Sequence, residues 1–326
     1  MKNPLYAVET KIKVPEKTSI SLLGATGSIG TQTIDIVLAN RDIFSIVALS
    51  VYSKVSELSG IIKKLESAGN QVQACHVYDS MAYEEAQNDS VLSKILLPPG
   101  AEGLMIAASW AEADTVVNAV VGGAGLAPTI AAAKSGKRVA LANKESLVIG
   151  GDLVKDAVIT GGAEIIPIDS EHSALAQCLH GRSMSEVDSL ILTASGGPFR
   201  QHTLDELQNV TLAEVLNHPT WNMGQKITVD SATLMNKGLE IIEAHVLYGI
   251  NYDKIEVLVH PGSIIHSLVR FNDGALIAQL GEPDMRVPIL YAISGEIHHY
   301  GGSQRLDLAK LGQLNLIFDI HHNDEF

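Results

Sequence analysis

An α/β chain of two domains is what the sequence predicts, on three observations. Short apolar strands alternate with helical patterns through the first half, and the first strand runs straight into a glycine-rich turn. In the second half, strands group with helices instead of alternating with them. The first half is expected to form a doubly wound, mostly parallel sheet, and the second an α+β domain.

Residues 19–23 (SISLL) read as the first strand, followed at once by Gly24, Gly27 and Gly30 in the run GATGSIG, with Ile34, Ile36, Val37 and Leu38 on the helix behind it. Strand, glycine turn, helix is the context of a Rossmann-like nucleotide site. The glycines let the backbone turn tightly and approach a pyrophosphate, which rests on free N–H groups at the helix N-terminus. A tight turn in some other βα unit is the plainer reading. The second strand, residues 44–49, ends at Ser50-Val51-Tyr52-Ser53-Lys54. No acid stands where a ribose hydroxyl would need one, and one lysine does, which favours NADP over NAD. Strands at 74–77, 115–121 and 139–141 complete the alternation. The last runs into Asn143, Lys144, Glu145 and Ser146, a polar group at the carboxyl end of a parallel strand, or a helix start capped by Asn143.

At 326 residues the chain can bury a large core, and 46% hydrophobic with 18% charged residues is a globular composition. The net charge is −14, so the surface repels nucleic acid and anionic membranes, and an anionic ligand needs a local cluster to hold it. Cys75 and Cys178, the two cysteines, lie in apolar contexts without metal spacing and are expected to be buried thiols in a reducing, cytoplasmic setting. The N-terminus has no secretory or transit pattern. Residues 115–133 are uncharged, but their interior glycines and Pro128 break the stretch, so no membrane span is expected.

The second half carries the acids. Residues 165–168 lead as a strand into Asp169, Ser170, Glu171 and His172. If the chain is extended there, Asp169 and Glu171 face one side and need a cation or a proton between them. With Glu240 they would make an all-oxygen site for Mg²⁺ or Mn²⁺; equally, Asp-Ser-Glu is a common helix start. Ser195-Gly196-Gly197 after the strand at 191–193 is a phosphate nest or simply a loop. Residues 204–216 read as one amphipathic helix. From Asp230 onward a second is expected, capped by Asp230 or Ser231, with an apolar stripe of Met235, Leu239, Ile242 and Val246 beside a polar face of Asn236, Lys237, Glu240 and Glu243. The histidine pairs 298–299 and 321–322 read as solvated.

Seven blocks, GATGSIG, LANKESLV, PIDSEH, LTASGGPFR, HPTWNMGQKITVDSATLMNKGLEIIEA, VHPGSIIHS and AQLGEPDMR, stand in an order that resembles the 1-deoxy-D-xylulose 5-phosphate reductoisomerase family across roughly residues 19–310. The resemblance implies conversion of 1-deoxy-D-xylulose 5-phosphate to 2-C-methyl-D-erythritol 4-phosphate in non-mevalonate isoprenoid synthesis. The route is a retro-aldol and aldol rearrangement followed by hydride transfer. It needs NADPH and a divalent metal: Mn²⁺ or Mg²⁺, with Co²⁺ a further candidate.

By the same resemblance, Thr26, Gly27, Ser28 and Ile29 would hold the NADPH pyrophosphate, and Asn143, Glu145 and Gly224 would complete the cofactor contacts. Ser53 and Lys54 would substitute for the family's Gly-Lys-Asn or Gly-Ser-Asn. Asp169, Glu171 and Glu240 would bind the metal. Lys144, Ser170, Ser195, His218, Ser231, Asn236 and Lys237 would bind the substrate, with Ser195, Ser231, Asn236 and Lys237 on its phosphate. Residues 218–226 would form a lid, Trp221 covering the substrate.

The implied domains are NADPH-binding at 1–158, catalytic and connective at 159–294, and a linker at 295–326 toward the family's C-terminal helical domain, which the resemblance leads one to expect is missing here. A homodimer is implied. A truncated, inactive NADPH-binding relic is the alternative. Other NADP oxidoreductases fit less well: no tyrosine has a lysine four residues on, and neither cysteine is flanked as a nucleophile.

Overall fold

Continuous apolar runs such as FSIVALSV are suited to strands covered on both faces, and they assemble into one parallel sheet. Its strands are β1 (Thr18–Leu23), β2 (Phe44–Val51), β3 (Ala74–Val77), β4 (Thr115–Asn118), β5 (Arg138–Leu141) and β6 (Glu164–Pro167), in the order β3-β2-β1-β4-β5-β6. The order reverses between β1 and β4, the place where such sheets bind ligands. Ile20, Leu22, Val116, Val117 and Val139 are fully buried in it. The crossovers are α1 (Ser28–Ala39), α2 (Val55–Ser67), α3 (Ser80–Gln87), α4 (Gly100–Ala108), α5 (Leu126–Lys134) and α6 (Glu145–Gly161). The doubly wound, Rossmann-like expectation holds.

The computed structural model describes residues 5, 16–217, 224–295, 297–311 and 319–320, and the chain divides into two units. The parallel sheet belongs to the first, residues 3–169 with 285–302. The second contains residues 170–284 and 303–326.

The second unit starts with α7 (Ser170–Leu179) and β7 (Val187–Ala194), then α8 (Leu204–Leu207), α9 (Leu212–Val215), α10 (Gln225–Ala232) and α11 (Met235–Tyr248). β8 (Ile255–Val259), β9 (Ile265–Phe271), β10 (Leu276–Leu280) and β11 (Asp319–Ile320) complete a mixed sheet in the order β10-β9-β7-β8-β11. Only β7 and β8 pair in parallel among these strands. Between β10 and β11 in sequence, α12 (Arg286–Ile293) returns the chain to the first unit, and α13 (Leu308–Leu311) lies back in the second.

Three local expectations are corrected. The helix at 204–216 is two short helices, because Thr203 with Glu206 and Thr211 with Glu214 each close a capping box, and the second box starts a new helix. The helix from Asp230 is also two. α10 stops at Ala232, Leu234 turns left-handed with φ of 59°, and α11 begins at Met235, so Asp230 and Ser231 lie inside the earlier helix and cap nothing. Glu171 is not on an extended strand: β6 ends at Pro167 and Glu171 sits in the first turn of α7.

No helix among the described residues is long and apolar enough to cross a membrane. Cys75 and Cys178 are buried, and burial pushes both thiols up to about 12.

Candidate active site

In the first unit the glycine turn is shaped for close approach. Gly24 is left-handed, and a Cβ there would lie 2.6 Å from the Ala119 carbonyl oxygen; one on Gly30 would lie 2.3 Å from the Gly24 oxygen. Gly27 is the N-cap of α1, and it and Ser28 are exposed at the head of that helix, with Thr26 and Ile29 half-buried beside them. A cradle without Cβ atoms at a helix N-terminus fits the pyrophosphate of a dinucleotide. Ser53 and Lys54 are exposed after β2, with the Lys54 ammonium 2.9 Å from Glu57.

Asn143 is buried and fixes the turn after β4: its amide donates to the carbonyls of Val120 at 2.6 Å and Gly122 at 2.8 Å, and to Glu145 at 3.3 Å. Its oxygen accepts from the Ser146 N–H at 2.9 Å, so it also caps the first turn of α6. Lys144, buried, pairs with Asp169, the last residue of this unit.

In the second unit the residues of the polar helix face converge on carboxylates. Lys237 is buried and donates to Glu171 at 2.9 Å, to the Thr193 carbonyl at 2.5 Å and to Glu240. Asn236 donates to the other Glu240 oxygen at 2.5 Å, and Ser170 donates to Glu171. Burial works against the Lys237 charge, but the carboxylates of Glu171 and Glu240 outweigh it and raise its pKa. The ammonium stands where a shared cation would stand between two acids. An all-oxygen donor set with a cation between its members fits Mg²⁺ or Mn²⁺.

The Ser195 turn lies nearby in the same unit. Gly196 and Gly197 are both left-handed, the Gly197 N–H donates to Ser195 Oγ at 3.2 Å, and a Cβ on Gly197 would lie 2.6 Å from the Ser231 carbonyl oxygen. Ser231 Oγ donates to the Ile227 carbonyl at 2.8 Å. The turn and Ser231 are therefore neighbours, whereas Asn236 and Lys237 face the carboxylates. Gly224 caps the start of α10 and is exposed. His218, Trp221, Met223 and most of the expected lid lie outside the described residues.

Sequence reasoning left three residues without a role. His172 and Glu243 are fully buried and 3.3 Å apart, and His172 Nε2 lies 2.9 Å from the Glu240 carbonyl. His266 on β9 is buried as well. Burial lowers its pKa, partly offset by the nearby Glu171 carboxylate. A histidine directly after the acid pair at Asp169 and Glu171 was the available signal for the first; His266 carries none beyond its residue type.

The family model described as "1-deoxy-D-xylulose 5-phosphate reductoisomerase" matches residues 20–151, and that of the same enzyme's C-terminal domain matches residues 165–248. A reductoisomerase of this name from Geobacillus sp. (strain WCH70) is 48% identical over 297 residues, 91% of this chain and 76% of the relative. One from Nostoc punctiforme is 49% identical over 297 residues, 91% and 74% of the two chains. A crystal structure of DOX-P reductoisomerase in complex with NADPH, fosmidomycin and magnesium superposes with a TM-score of 0.87 at 41% identity, over 95% of this chain and 77% of that one. With the sheet order, the glycine cradle and the carboxylate nest, these likenesses show that the chain belongs to the 1-deoxy-D-xylulose 5-phosphate reductoisomerase family.

Proposed function

We propose that this chain converts 1-deoxy-D-xylulose 5-phosphate to 2-C-methyl-D-erythritol 4-phosphate, using NADPH and a divalent cation. The observation that carries the reading is one buried ammonium shared by Glu171 and Glu240, in a chain 48% identical to a named reductoisomerase. When bound, the cation supplies Lewis-acid polarisation of a carbonyl and NADPH supplies the hydride. Glu171 and Glu240 are proposed as cation ligands, with Asp169, two residues before Glu171 in the chain, as the third oxygen donor.

Each other residue is given the role its chemistry suits. The turn at Ser195 and the neighbouring Ser231 offer hydroxyl and N–H donors to a phosphate. Lys237, whose ammonium is already held among oxygens, serves the same anion when a cation takes its place between the acids. A grip on the phosphate, remote from the bonds that change, gives binding energy for orienting the reacting end. Lys144, Ser170, Asn236 and His218 are proposed to bind the sugar portion. Thr26, Gly27, Ser28, Ile29, Ser53, Lys54, Asn143, Glu145 and Gly224 are proposed on NADPH, with the 218–226 loop excluding water. A cytoplasmic homodimer completes the reading, supported by family likeness and by two buried thiols without a disulfide framework. The relic alternative is not favoured, since the acids and the glycine cradle are both in place.

Glu240→Gln tests the assignment. It is expected to lose cation-dependent turnover while NADPH binding, followed by fluorescence titration, is retained. Loss of NADPH binding in this variant would remove Glu240 from the cation site.

A further inference from the structure

We propose that Tyr52 and Tyr78 form an aromatic shelf that takes the adenine of the dinucleotide, so that the adenosine half is held by stacking. The inference rests on reading the first unit as the NADPH-binding one. Tyr52 follows the last residue of β2 and Tyr78 the last residue of β3, and Val51 and Val77 are register partners. Both rings thus leave the carboxyl ends of neighbouring parallel strands. β2 is also the strand beside the glycine turn, with Gly24 N–H bonded to the Ser50 carbonyl at 2.9 Å. A dinucleotide whose pyrophosphate rests on that turn places its adenosine half over the end of β2.

The pair is prearranged. The rings stack with centroids 5.6 Å apart and planes 20° apart. Behind them, the His76 ring meets Tyr78 edge-on at 6.1 Å. His76 is itself fixed, with Nδ1 2.9 Å from Ser50 Oγ and Nε2 3.0 Å from the Gly100 carbonyl. Main-chain bonds from Tyr78 N–H to the Val51 carbonyl, at 3.0 Å, and from Asp79 N–H to the Tyr52 carbonyl, at 2.9 Å, hold the two strand ends together.

The lower ring is therefore wedged. The upper one leaves 66% of Tyr52 exposed. A lone exposed tyrosine is ordinary, but a second ring and a buried histidine supporting it from below make a rigid planar surface at the adenosine end. Ser53 and Lys54 follow Tyr52 directly in the chain and are exposed, the Lys54 ammonium paired with Glu57.

The test uses the full chain and two half-cofactors, titrated by calorimetry: adenosine 2′,5′-bisphosphate for the adenosine half and reduced nicotinamide mononucleotide for the other. Tyr52→Ala is expected to weaken adenosine 2′,5′-bisphosphate by about 10-fold, the order of one lost base stack, and to leave the mononucleotide unchanged. Tyr52→Phe, which keeps the ring, should restore the affinity. Unchanged or tighter binding of the bisphosphate by Tyr52→Ala, or an equal loss for both halves, overturns the shelf while NADPH binding by the unaltered chain still stands. No NADPH binding by the unaltered chain overturns the nucleotide reading of the unit, and the shelf with it.

Discussion

Nδ1 of His172 lies 3.3 Å from Oε2 of Glu243, and neither side chain reaches solvent. Tyr248 donates its hydroxyl to the His172 carbonyl at 2.7 Å, and the other ring nitrogen meets the Glu240 carbonyl. These ties bind the first turn of α7, which carries Glu171, to the turn of α11 that carries Glu240. A buried pair broken on one side leaves the other group without compensation. Glu243→Ala is therefore expected to cost about 1–3 kcal/mol of stability, the order of leaving one buried polar group without its neighbour, read as a lower denaturant midpoint. An unchanged midpoint would mean that the pair does not hold the two helices.

Lys237 sits between two carboxylates that repel once it is gone. Lys237→Met should melt lower than the unaltered chain in the presence of a chelator, by an amount on the order of 3 kcal/mol. Mn²⁺ should raise its melting temperature by more than it raises that of the unaltered chain, because the cation then has no ammonium to displace. The same variant should show a raised KM for the phosphorylated substrate. A cation response equal in the two proteins would argue against a shared position for ammonium and metal.

His76 gives the fold a pH dependence. Burial lowers its pKa from 6.5 to about 4, against a smaller opposing effect of its bond to the Gly100 carbonyl. The folded state holds the neutral ring, so its contribution is fully present above pH 6.5 and declines as the pH falls toward 4. The loss amounts to roughly 3 kcal/mol once both states are protonated. His76→Gln should flatten the stability profile across that window. A profile as steep as that of the unaltered chain would place the titration elsewhere.

What the sequence made legible follows from where each feature is encoded. The glycine turn was readable because close approach and left-handed backbone select residue type at the position itself: a Cβ at Gly24 or Gly30 meets main chain. α11 was misread because its burial is decided far away. Periodicity pointed to Met235, Leu239, Ile242 and Val246 as the inward stripe, yet Met235 is exposed and the other three are half-buried, while Lys237, Glu240 and Glu243 are buried. Lys237 is sheltered by its pairing with Glu171 and Glu243 lies against His172, each more than sixty positions upstream, which no local pattern reports, while Glu240 is held by Asn236 and Lys237 on its own helix. The breaks at 204–216 were legible in principle, since two Thr-x-x-Glu boxes eight residues apart announce two helix starts.

The most direct test of the central claim is NADPH oxidation by this chain with 1-deoxy-D-xylulose 5-phosphate, measured with Mn²⁺ and again with a chelator in excess. Turnover that yields 2-C-methyl-D-erythritol 4-phosphate, is abolished by the chelator and returns when Mn²⁺ is restored is the expected result. NADPH bound without turnover in the presence of Mn²⁺, or turnover indifferent to the chelator, would contradict it.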